Sequence, residues 1–219
     1  MEHCSLGYIR IMSVIHIQSV RDPFDLPEVA RAAVTTLARA EAMGLLPQGE
    51  TIDVLDFPTL RKVVKGISRA GIGQNVLPDL AGTRGRDPKQ FLAALQRLND
   101  ALDASPVPAS EWPGLMNILG IDLLARLLGV SAVSVRRYAS GTRPTPDDVA
   151  ARLHFLALVV ADLAGAYNDI GVRRWFDRER TLLGNKTPAQ LLTRKWKPED
   201  AGPQQVRQLA HALVSSPAT

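Results

Sequence analysis

Cysteine occurs once in the 219 residues, as Cys4, so the chain has no internal disulfide and no thiolate cluster for zinc. Four histidines, His3, His16, His154 and His211, are scattered without ligand spacing, and no metal site is expected. Aromatic residues make up only 5% of the chain against 46% apolar overall, a balance rich in Ala and Leu that favours helices joined through aliphatic side chains. Long apolar runs are also missing. The stretch from Ile9 to Val20 is broken by Arg10, His16 and Gln18 and lacks a cleavage pattern, so it is not read as a signal peptide. Leu153 to Ala166 follows Arg152 and contains Asp162, which makes it too short and too polar to span a bilayer. No membrane partner is expected, and the cytoplasm is the default compartment.

Enzyme signatures are equally sparse. Gly71-Ile72-Gly73 follows a helical pattern and lacks a third glycine, so it makes a poor dinucleotide fingerprint. No strand-turn-helix elbow presents a serine for attack. The chain is expected to be neither an enzyme nor a cofactor carrier.

What is present is helix punctuation. Periodic apolar runs predict an all-α protein: Glu28 to Met43 ending at Gly44, a run opened by Pro58 and closed by Gly71, and a run from Pro88 with Phe91, Leu92, Leu95, Leu98 and Leu102 on one stripe. Residues 71–87, rich in Gly, are expected as a loop. Ala104 to Ser110, with two prolines among small residues, reads as a linker. The expected division is an N-terminal extension (1–27), with Met12 an alternative start, a helical region of unknown role (28–110), a DNA-binding domain (111–167) and a C-terminal module (168–219). Helices are predicted for Pro113 to Leu119, Ile121 to Leu128, Ser131 to Ala139 and Pro146 to about Tyr167, the last with Thr145 as N-cap.

The stretch from Leu123 to Gly141 carries the strongest functional signal. Ala125 is small where a second helix must cross, Gly129 stands where the backbone must turn with positive φ, and Ser131 caps the next helix. Val135 and Tyr138 face inward, leaving Ala132, Val133, Ser134, Arg136 and Arg137 outward, with Ser131 and Ser134 able to contact phosphate or base. These spacings are those of a helix-turn-helix, and Arg143 in the following polar turn is suited to a phosphate. A plain helical hairpin is the alternative. Formal charge is +4, and Arg136, Arg137 and Arg143 have no acidic residue among them, which points to double-stranded operator DNA as partner. Such proteins usually present two reading heads, so a homodimer is expected. The helix after Pro146 has apolar surface either for that dimer or for the centre of the domain.

Further along, Arg173, Arg174, Arg178 and Arg180 are interleaved with Asp177 and Glu179, the pattern of a salt-bridged helix face. The same segment contains the Trp175-Phe176 pair, the Leu183-Gly184 turn, and Thr187-Pro188 opening an apolar helix with Leu191 and Leu192. Together with the preceding helix-turn-helix, it resembles the Xre/MbcA/ParS antitoxin family over Glu111 to about Val214. The resemblance implies an Xre-like, dimeric DNA-binding domain continuous with a toxin-binding module. It implies an antitoxin that neutralises a RES-type, NAD-degrading toxin and represses its own operon. By that analogy Arg174, Trp175, Phe176, Leu183, Asn185, Lys186 and Leu191 form or support the toxin interface. Trp175 and Leu191 are better suited to the core, whereas Arg174, Asn185 and Lys186 are the better direct contacts. Residues 1–110 precede the resemblance, and the family's usual Pro-Asn is Asp177-Arg178 here. A stand-alone dimeric regulator with no toxin partner is the alternative.

Overall fold

The structure is a computed structural model that describes residues 14–46, 49, 51–83, 87–193 and 195–215. It is 65% helix, with eleven helices and one two-stranded parallel sheet among the described residues. The expectation of an all-α chain is therefore corrected by two strands, β1 (Val14–Val20) and β2 (Thr51–Leu55). Both are rich in β-branched residues, and β2 alternates exposed and buried positions over its first three residues, as a strand should. They are joined by α1 (Pro27–Ala42), a crossover that parallel strands require. Val14 pairs with Thr51 and Val20 with Leu55, with an irregularity between Ile15 and Ser19. The residues up to 13, which include the alternative start, lie outside the described residues.

After β2, Asp56 caps α2 (Phe57–Arg69) by accepting the Thr59 N–H at 2.9 Å. The expected loop at 71–87 contains a short helix, α3 (Leu77–Thr83), and residues 84–86 lie outside the described ones. Next comes α4 (Pro88–Asp103), capped by Asp87. Phe24, Phe57 and Phe91 meet at centroid distances of 5.3 to 5.6 Å and form the aromatic centre of this half.

The Pro-rich segment expected as a linker is a tight connection. Pro108 opens α5 (Pro108–Leu119), because a proline at the first helical turn gives up no hydrogen bond, and Pro113 is accommodated inside the same helix. Ser110 lies so close to Gly44, at the end of α1, that any side chain there would collide with the Ser110 carbonyl. The two halves share one continuous core.

The remaining helices are α6 (Ile121–Leu128), α7 (Ala132–Ala139), α8 (Asp147–Ala164), α9 (Asp169–Phe176), α10 (Pro188–Leu191) and α11 (Ala201–Ser215), with a 3-10 turn at Thr181–Leu183. At the centre is α8, covered by α1, α5, α9 and α11, so that every residue from Arg152 to Leu163 is buried. The apolar surface it offered for a dimer is covered within the chain. Pro146, not Thr145, occupies its cap position, and the Thr145 hydroxyl accepts instead from the Trp112 indole at 2.9 Å.

Polar ties hold these layers in register. His154 on α8 bonds the fully buried Glu111 on α5 at 2.6 Å and the Asp103 carbonyl at the end of α4 at 2.9 Å. The Asp103 carboxylate is gripped by Arg39 of α1 and by Arg207 of α11. Among the described residues, no helix is long and apolar enough to cross a membrane.

Candidate functional site

The α6–α7 pair is built as a rigid corner. Gly129 ends α6 with φ 67° and ψ 33°, a left-handed conformation that costs a glycine nothing. Its N–H reaches the Arg126 carbonyl and the Val130 N–H reaches that of Ala125, a paired closure that satisfies the last carbonyls of the helix. Ser131 then caps α7, its hydroxyl accepting the Ser134 N–H at 3.1 Å. Leu124, Leu127, Leu128 and Val135 are fully buried, and Ala125 is 6% exposed at the crossing.

Tyr138 is buried and stacks on Trp112 of α5 at 5.8 Å. The guanidinium of Arg143 lies 5.6 Å from the same ring. The turn after α7 is folded onto the helix end: Ser140 and Thr142 hydroxyls and the Arg143 N–H all donate to the Arg137 carbonyl. Arg143 is thereby held beside the Tyr138 ring at the C-terminal end of α7.

That outer face is small and basic. Val133 is 52% exposed, Ser131, Arg136 and Arg137 are exposed, and Ala132 and Ser134 are half-buried. Arg143 is exposed as well. None of the three arginines forms an ion pair among the described residues, so the field of the face is uncompensated locally. Side chains of this kind on a rigid short helix suit a groove lined by phosphates.

The C-terminal residues divide into support and surface. Trp175 and Phe176 are buried edge to face at 5.2 Å, Leu183 is buried and Leu191 half-buried. Arg174, Asn185 and Lys186 are exposed. Asn185 has φ 60° directly after Gly184 at 67°, two successive left-handed residues that fold the turn so that Arg180 pairs with Lys186. Asn is the side-chain-bearing residue that tolerates this conformation best. Thr187 and Gln190 form a reciprocal capping box at the start of α10.

The expected salt-bridged face at 173–180 does not form as such. The helix stops at Phe176, and Asp177 turns away to Arg126 of α6, at 2.7 and 2.9 Å. Arg173 donates to the carbonyls of Asn117 and Ile118 and so closes the end of α5. Arg174, Arg178 and Arg180 are left around one open pocket beside Tyr167 and Ile170. The sequence reading took Arg178 and Arg180 for members of a salt-bridged helix face, because it carried the helix on through Arg180, and it did not single out Ile170.

No family model, no characterised protein and no solved structure matches the chain.

Proposed function

We propose that the chain is a DNA-binding antitoxin: an Xre-like helix-turn-helix formed by α6 and α7 binds operator DNA as a homodimer and represses the chain's own operon, while the C-terminal module neutralises a RES-type, NAD-degrading toxin. The observation that carries the DNA-binding half is the uncompensated basic face of α7, with Arg136 and Arg137 exposed on a helix held by Gly129, Ser131 and the Trp112–Tyr138 stack and Arg143 exposed in the turn that follows. In this reading Ser131, Ala132, Val133 and Ser134 approach the groove, and the arginines divide between bases and phosphates.

The toxin half is supported by the order of the elements. A module that exposes Arg174, Asn185 and Lys186 over a buried Trp175, Phe176 and Leu183 follows the DNA-binding pair and is clamped to it by Arg126 and Asp177. The protein acts in the cytoplasm, without cofactor or metal and without catalysis of its own.

Co-expression with the product of the adjacent reading frame tests this reading. The two proteins are expected to co-purify, and the antitoxin is expected to restore growth arrested by its neighbour. A folded chain that neither binds nor protects would overturn the toxin half, and an operator footprint without any toxic neighbour would leave a stand-alone regulator.

A further inference from the structure

The pocket between the start of α9 and the turn after it has a composition that the antitoxin reading does not require. Arg174, Arg178 and Arg180 line it together with Tyr167, Ile170 and Trp175. Arg174 and Arg178 are exposed and have no ion-pair or hydrogen-bond partner for their side chains among the described residues. Arg180 lies with its guanidinium 5.5 Å from the Trp175 ring, and its Nε is buried without a hydrogen-bond partner. Of the two acids in the segment, Asp177 is held by Arg126 of α6, and Glu179 is exposed and forms no ion pair among the described residues. Three cations therefore line one open concavity whose lining contains no acidic residue.

The rim is apolar. Ile170 is 57% exposed in the pocket wall, beside Tyr167 and Trp175. An exposed Ile gains nothing from a phosphate backbone but gains from an apolar side chain. Arginine beside tyrosine and tryptophan, as Tyr167 and Trp175 stand here, is the composition of a protein-binding hot spot.

We infer that this pocket binds an acidic, apolar segment of a protein partner, whose carboxylates pair with Arg174, Arg178 and Arg180 and whose apolar side chains rest on Ile170. The fork of a guanidinium matches a carboxylate in bidentate fashion, and Arg180 is already oriented by its contact with the Trp175 ring. The inference refines the toxin-binding reading of the C-terminal module by giving the chemistry of the bound segment, yet it holds for any protein partner.

Selection of a random peptide library against the full-length protein tests it. Enriched peptides are expected to combine Asp or Glu with Leu, Ile or Phe. Fluorescence anisotropy with such a peptide is expected to show about tenfold weaker binding to Arg174→Ala/Arg178→Ala and to Ile170→Ser. These positions are exposed, so the variants are expected to keep the fold, checked by circular dichroism. Enrichment without acidic bias, no enrichment, or equal binding by the variants would overturn the proposal. So would a random-sequence DNA duplex, or inorganic phosphate, that displaces the peptide and depends on the same arginines. If the neighbouring toxin co-purifies equally well with Arg174→Ala/Arg178→Ala, the pocket assignment falls and the antitoxin reading stands; if acidic peptides bind but no toxin does, the reverse holds.

Discussion

The indole of Trp112 and the ring of Tyr138 are stacked at 5.8 Å, with an interplanar angle of 26°, and this contact seats α7 against α5. Trp112 adds a hydrogen bond from Nε1 to Thr145, just ahead of α8, so one side chain locates three helices. Trp112→Phe keeps an aromatic ring and loses the hydrogen bond, and is expected to cost about 1 to 2 kcal/mol. Trp112→Ala also empties a fully buried site and is expected to cost roughly 3 to 5 kcal/mol. Urea unfolding of the two variants checks the order.

Removing the charge of the α7 face should separate binding from folding. Arg136→Ala with Arg137→Ala is expected to leave stability within about 0.5 kcal/mol, since both residues are exposed. Operator affinity should fall, and the slope of log affinity against log salt should flatten by roughly one to two. Anisotropy titrations across a salt series measure both. An unchanged slope in a folded variant would show that α7 does not face the DNA.

Trp175→Ala addresses the other half. Trp175 is 1% exposed and packs on Phe176 and Arg180, so its truncation is expected to cost about 3 to 5 kcal/mol within the C-terminal module. Partner binding should be lost, with operator binding largely retained wherever the variant remains folded. Loss of DNA binding with α6 and α7 still folded, judged by hydrogen exchange, would mean that the two activities are not separable.

Gly129 offers a sharper local test. Gly129→Ala places a side chain at φ 67° and is expected to cost about 1 to 2 kcal/mol, with Gly129→Asn milder because Asn tolerates the left-handed region. Thermal unfolding of the pair distinguishes backbone strain from loss of contacts.

Acidity should also leave a mark. Burial, reinforced by the nearby Asp169, raises the Glu41 carboxyl from its usual 4.5 to about 7. Because the folded form holds this proton more tightly than the unfolded chain, Glu41 destabilises the fold only once it ionises. Its contribution is therefore most favourable below pH 4.5 and declines as pH rises toward 7, by at most about 3 kcal/mol. Glu41→Gln is expected to flatten stability over this interval, measured by urea unfolding at several pH values.

Features carried by neighbouring residues were legible in the sequence. Gly129 with Ser131, the Thr187-Pro188 helix start and the closure of α1 at Gly44 each follow from a local conformational demand. Strand β1 was not, because a short β-branched run next to polar residues has no decisive period. The role of Thr145 was misjudged for a similar reason: its hydroxyl suits a cap, but the competing donor, Trp112, lies 33 residues away. The same limit hid the arginine pocket. Asp177 between arginines suggests local pairing, and only the approach of Arg126, 51 residues earlier, removes it.

Asp103 receives Arg39 from 64 positions earlier and Arg207 from 104 positions later. Its carboxylate therefore joins the first helix of the chain to the last. A growing polypeptide cannot complete this junction until α11 has been synthesised, so the flank of α8 that α11 covers waits uncovered through translation. Loop closures of this length delay folding. A chain cut short by proteolysis or premature termination before α11 would keep the Arg39–Asp103 pair, lose Arg207, and leave the flank of α8 that α11 covers open to water.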